Sequence, residues 1–144
     1  MNPTIHPTQS NTRAGIFPAV AGSDLRDKEG RVVVLASDGQ YDLPANIADP
    51  AEYLLLEGGN TGEPITVAPL DRARNWRIRL KGTCDPGDRL VLAAIAGDDA
   101  GKLRKLPAAN GTYHVVARAE SAGVDGQLVL CRPTLTATPT VINN

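Results

Sequence analysis

The chain has few aromatic residues: one Trp, three Tyr and one Phe, 3% of 144 residues. Its core must therefore be built from Val, Leu, Ile and Ala, which makes a compact interior rather than a wide one. Cysteine is equally scarce. Cys84 and Cys131 are the only two and neither sits in a CxxC pair, which argues against a secreted disulfide framework. Both read as free, partly buried thiols behaving as small hydrophobes. Each lies at a strand end, so a single bridge between neighbouring strands stays open. An excess of one charge is also missing, with 15 bases against 16 acids and a net charge of −1. That leaves no general attraction to nucleic acid or to an anionic membrane. No apolar run approaches the roughly 18 residues a membrane span needs, and no secretory leader pattern is present. Synthesis in a cytoplasm, with neither nucleic acid nor membrane as partner, is the expectation.

What is abundant is punctuation. Gly and Pro together number 25, which favours many short strands and turns over long helices. Residues 1–22 contain Pro3, Pro7 and Pro18 and read as an extended arm, because proline at this spacing forbids a continuous helix. Ile5, Ile16 and Phe17 are among its hydrophobic side chains, and a partner surface or the protein's own core should cover the Ile16–Phe17 pair. A charged turn follows from Ser23 to Gly30. Arg31 to Ala36 is the first strand, Asp38-Gly39 a tight hairpin turn, and Tyr41 to Pro44 the return. The unalternating run Glu52 to Glu57 suggests a strand covered on both sides. Ile65 to Ala68 resumes the sheet.

Further strands fall at Arg89–Ala96, Lys102–Leu106, Thr112–Ala119 and Gln127–Cys131, with turns at 83–88, 97–101, 107–111 and 120–126. Residues 23–133 thus read as one domain, and 134–144, Thr-rich and broken by Pro139, as a C-terminal tail that is either loose or donated to something else. No internal repeat is legible. The fold class is mainly β: a small antiparallel β-barrel or β-sandwich with an extended N-terminal arm and a short C-terminal tail.

The most informative strand runs from Asp71 to Lys81. Trp76, Ile78 and Leu80 alternate with Arg77, Arg79 and Lys81, so one face should be core and the other a row of three cations about 7 Å apart. Five basic residues lie between Arg72 and Lys81 with no acid among them, whereas Asp24 to Asp71 holds ten acids and three bases. The cationic row reads as a solvated outer face, as a contact to an acidic protein surface, or as a single-strand nucleic-acid site. The last is disfavoured because Trp76 points the other way and no stacking platform shares the face.

Chemistry is sparse. His6 and His114 are too isolated for a zinc centre, and no local nucleophile motif or glycine-rich phosphate loop occurs. Asp85 with Asp88, and Asp98 with Asp99, sit in turns where Asp bonds its own backbone. No catalytic residue, metal ligand or cofactor is expected.

The segments Asp85-Pro-Gly-Asp-Arg-Leu-Val-Leu92, Gly101-Lys-Leu-Arg-Lys-Leu-Pro107, Gly111-Thr-Tyr-His-Val-Val-Ala-Arg-Ala-Glu120 and Asp125-Gly-Gln-Leu-Val-Leu-Cys-Arg-Pro133 occur in an order that resembles the small capsid decoration, or head cement, proteins of tailed bacteriophages. Ser23 to Leu35 resembles the opening strand of that family and Pro64 to Ala68 its middle strand, so the likeness spans residues 23–133. Ala117 departs from the glycine often found there. The resemblance implies a non-enzymatic virion protein on the outer capsid surface, bound in many copies to the major capsid protein, often as a homotrimer, and stabilising capsomer junctions. Ile5, Ile16, Phe17, Arg77, Arg79 and Lys81 would contact capsid or neighbouring copies. A receptor- or carbohydrate-binding module of a tail or fibre is the alternative, although such sites present exposed aromatics. A small β-barrel hydrolase is disfavoured by its missing carboxylate and glycine motifs.

Overall fold

The computed structural model describes residues 15–136 and 138–144. Ile5 and His6 lie outside the described residues. Among those described there is no helix, and the chain runs as twelve short strands. Five belong to the first half: β1 (Phe17–Val20), β2 (Val32–Leu35), β3 (Tyr41–Asp42), β4 (Tyr53–Glu57) and β5 (Pro64–Pro69). They form one sheet in the order β1-β5-β4-β2-β3, every pair antiparallel. The second half holds β6 (Trp76–Arg79), β7 (Arg89–Leu92), β8 (Leu103–Lys105), β9 (Gly111–Tyr113), β10 (Val115–Ala119) and β11 (Leu128–Pro133), and β12 (Thr140–Ile142) follows. The second sheet is ordered β6-β11-β10-β7-β8, and β9 pairs with β12. The fold is mainly β, as the turn-rich composition requires.

The two five-stranded sheets have the same topology. Counted within its own half, each is ordered first, fifth, fourth, second, third, with β9 as an extra strand in the second half. Each also curls until its edges meet at one parallel bridge, Ala21 to Tyr41 in the first and Leu80 to Leu103 in the second. The backbone hydrogen bonds recur. Ala21 N donates to Glu63 O and Leu80 N to Gln127 O, Gly30 N to Leu55 O and Gly87 N to Ala119 O, Leu25 N to Gly59 O and Cys84 N to Gly123 O. Even a side-chain turn recurs: Asn60 N donates to Glu63 Oε2 and Val124 N to Gln127 Oε1. Gly30 and Gly87 share a left-handed φ, +84° and +91°, that only glycine adopts without strain. The chain is a tandem of two units of one design, a repeat that the sequence pattern did not disclose.

Each unit encloses its own apolar interior. In the first, Leu25, Val33, Leu55, Ile65 and Val67 surround a cluster of three aromatic rings. Phe17 lies 6.2 Å from both Tyr41 and Tyr53, and those two are 5.1 Å apart edge to face. In the second, Ile78, Leu80, Cys84, Leu90, Leu103, Val129 and Cys131 fill the equivalent space. Val32 and Leu54 leave the first interior and join the second cluster, so β2 and β4 bury both faces. That accounts for the unalternating Glu52–Glu57 run, with Leu54 on one side and Leu55 on the other.

Three boundaries differ from the sequence reading. Residues 17–20 are an edge strand of the first sheet rather than part of an arm, because burying Phe17 against Tyr41 and Tyr53 outweighs leaving it in water. The C-terminal stretch is not a loose tail, since Thr140–Ile142 pairs with Gly111–Tyr113. The Thr112–Ala119 run is split at His114 into β9 and β10.

Candidate docking surface

The sequence placed Phe17 on a contact surface, but it is 4% exposed and belongs to the first interior. Alternation along β1 turns its neighbour Ile16 outward, to 54% exposure. The row Arg77, Arg79, Lys81 also separates. Ile78 and Leu80 are buried beneath it as alternation demands, yet within the row Arg77 alone is left without an acceptor among the described residues. Arg79 donates to the carbonyls of Gly126 and Glu29. Lys81 lies 3.5 Å from Asp99 and 4.0 Å from Asp125.

The register brings together a larger basic row that no local pattern reveals. Arg118 on β10 stands opposite Arg132 on β11 and opposite Arg89 on β7. Three arginines therefore occupy one rung across three adjacent strands, on the face turned away from the interior residues Leu90, Ala119 and Cys131. Like charges at this spacing repel and destabilise a sheet unless something compensates. Arg132 is compensated, as its Nε donates to Glu120 at 3.3 Å. Arg89 and Arg118 have no carboxylate within ion-pair distance among the described residues. Arg72 adds a fourth guanidinium, its Nε donating to Thr134 O. Two open depressions flank Arg118. One, of about 250 Å³, is lined by Gly87, Asp88, Arg89, Lys105 and Leu106. The other, of about 450 Å³, is lined by Arg72, Glu120, Arg132, Pro133 and Thr134.

The four lysines and the arginines divide the work. Lys28, Lys81, Lys102 and Lys105 each meet a carboxylate. Arg72, Arg74, Arg77, Arg79, Arg89, Arg104 and Arg118 meet none among the described residues. A guanidinium is the side chain suited to bidentate recognition of carboxylates, and the unpaired cations of the second half are all of this type. None of the five aromatic side chains is exposed. Trp76 is half-buried and roofed by Arg74, whose guanidinium carbon is 4.7 Å from the ring centroid, so no open aromatic platform shares this surface.

The carboxylates and thiols elsewhere are explained by structure. Hydrogen bonds from Lys28 and then Arg31 hold the Asp98 carboxyl down at about 2. The Lys102 ammonium depresses Asp99, and the backbone N–H of Asp85, followed by Lys105, depresses Asp88. Burial pushes the Cys131 thiol up to about 12 and raises Cys84 as well. Both cysteines are free, at positions equivalent to Val67 and Leu25 of the first interior, which is why they behave as small apolar residues. His114 lines a groove of about 300 Å³ with Asp49, Glu52, Leu92 and Leu135.

No family model matches the chain, and no curated protein does. Among solved structures, the fold is similar to the N base of the head fibre gp8.5 of bacteriophage phi29, with a TM-score of 0.59 at 20% identity, covering 84% of this chain and 94% of that one. The likeness is one of fold, and it extends through both sheets.

Proposed function

We propose that this chain is a structural, non-enzymatic virion protein of a tailed bacteriophage that binds the outer surface of the capsid in many copies and reinforces capsomer junctions. The observation that carries this reading is the shared fold with the phi29 head-fibre base across most of both chains. The arginine row and the exposed Ile16 supply surfaces for such a contact, and many weak contacts on a repeating shell add up to avidity. The same likeness favours a second reading, in which the chain is a head-attached base that carries another module rather than a cement.

Co-sedimentation with mature heads of the phage whose genome carries the chain tests both. Saturable binding at a fixed stoichiometry, with heads that then resist heat better, is the expected result. Binding without added head stability favours the base. No binding to any head form overturns the proposal.

A further inference from the structure

The two units present the same backbone frame at a receiving surface, and among the described residues only the first unit's copy is filled. In the first unit, Gly30, Arg31 and Val32 receive the β7–β8 hairpin of the second. Val32 N donates to Gly101 O of the hairpin at 2.8 Å, and beside it Arg79 N of β6 donates to Gly30 O at 2.7 Å. The Arg31 guanidinium, 5% exposed, donates to the carbonyls of Asp98 and Ala100 and to Asp98 Oδ2, and Lys28 pairs with the same carboxylate. An acidic hairpin tip gripped by cations is thus the chemistry of the internal joint.

The recurring hydrogen bonds equate Gly30, Arg31 and Val32 with Gly87, Asp88 and Arg89. In the second unit those three residues line the open 250 Å³ depression together with Lys105 and Arg118. The rung Val32–Leu54–Ala68, buried in the first unit, corresponds to the exposed rung Arg89–Arg118–Arg132. The inserting hairpin has a counterpart too. Ala36 N donates to Gln40 O as Ala93 N does to Lys102 O, so the β2–β3 turn is the first unit's version of the β7–β8 hairpin. Its tip carries Asp38, exposed and accepting from Gln40 N within its own turn. Beside it, Leu35 is 46% exposed, whereas its equivalent Leu92 is 2% exposed in the core.

We infer that a second copy of this chain docks head to tail, with its Ala36–Gln40 hairpin in the Gly87–Arg89 depression, Asp38 facing Arg89 and Arg118, and Leu35 covered at the new joint. Asp88 does not oppose the incoming carboxylate strongly, since Lys105 holds it at 3.3 Å. The charge distribution agrees: residues 24–71 carry ten acids and three bases, and residues 72–144 carry six acids and eleven bases. Such a contact is heterologous, so it closes into a ring or continues as a filament. It specifies the contact between copies within the virion role proposed above, and it can fail separately from that role because its test contains no heads.

Sedimentation velocity of the full chain over a range of micromolar concentrations, at low and high salt, tests the contact. The expected result is salt-sensitive self-association that weakens by roughly tenfold or more in Asp38→Lys and in Arg89→Glu, and returns in the chain carrying both changes, because the exchanged charges again complement each other. Thermal unfolding of each variant checks that the fold persists. A monomer at every concentration, association indifferent to both single changes, or no recovery in the double variant would overturn the inference.

Discussion

The two halves share a strand order and a hydrogen-bond scheme but fill their interiors with opposite choices. Register pairs Phe17 with Val67 and Trp76 with Cys131, Ala19 with Ile65 and Ile78 with Val129. Where the first half has the bulky Tyr53 and Leu55, the second has Ala117 and Ala119. Where the second has Ile78 and Leu80, the first has Ala19 and Ala21. Volume is traded between positions while the backbone frame is kept, which is the kind of exchange that packed cores tolerate. The first half concentrates three of the chain's five aromatics in one cluster, and the second relies on aliphatic side chains and two thiols. The surfaces diverge in the same way. The rung that is apolar and buried in the first half is cationic and exposed in the second.

The largest effect that would break this comparison lies in the aromatic cluster. Phe17→Ala removes a buried ring that touches two others and is expected to cost about 3–5 kcal/mol. Trp76→Ala, at the equivalent but half-exposed position, should cost about 1–2 kcal/mol. Urea unfolding midpoints for the two variants check this, and equal losses would mean that the halves are packed alike.

Next comes the crowded glycine before the fifth strand. A Cβ on Gly58 would lie 1.9 Å from Leu25 O, whereas the equivalent residue in the second half is Ala122, exposed and accommodated. Gly58→Ala is therefore expected to destabilise by about 2 kcal/mol or more, while Ala122→Gly costs about 0.5–1 kcal/mol at most. Thermal melts distinguish the two.

A smaller effect concerns the internal joint and its pH dependence. The folded Asp98 carboxyl titrates at about 2, against 3.8 when unperturbed. Its contribution is in full force above the higher value and is lost as pH falls through the lower one. Asp98 is 68% exposed as a side chain, so solvent screening limits the stabilisation to about 1 kcal/mol or less. Asp98→Asn should therefore flatten the stability profile in that acidic window, lowering stability near neutrality by up to about 1 kcal/mol and changing little below the folded titration point. An unchanged acid limb would show that the joint does not depend on this carboxylate. The smallest effect is expected at Arg118→Ala, which relieves repulsion from Arg89 and Arg132 and should leave stability unchanged or raised by a few tenths of a kcal/mol. A clear loss of stability would show that Arg118 is structural rather than held for a partner.

Much of the fold was legible because it rests on short-range signals. The Asp38-Gly39 turn, the alternation at Trp76–Lys81 and the doubly covered Tyr53–Glu57 strand each follow from neighbouring residues. The duplication was hidden because it resides in hydrogen-bond register, while the residues at equivalent positions, such as Tyr53 and Ala117, differ in volume and chemistry. The docking surface was legible only at its margin. Arg77 and Arg79 fall on one strand, but Arg89, Arg118 and Arg132 meet only after three distant strands pair. Which of the two covers open to Phe17 applies, a partner surface or the protein's own core, was hidden for a related reason: Tyr41 and Tyr53 arrive from strands whose pairing the local sequence does not state.

Electron cryomicroscopy of mature phage heads incubated with an excess of the chain tests the central claim most directly. Two-lobed density is expected at fixed positions outside the shell, repeated around the capsid, with the arginine row of the second lobe against a neighbouring protein surface. Heads without added density, or density lying inside the shell, would contradict it.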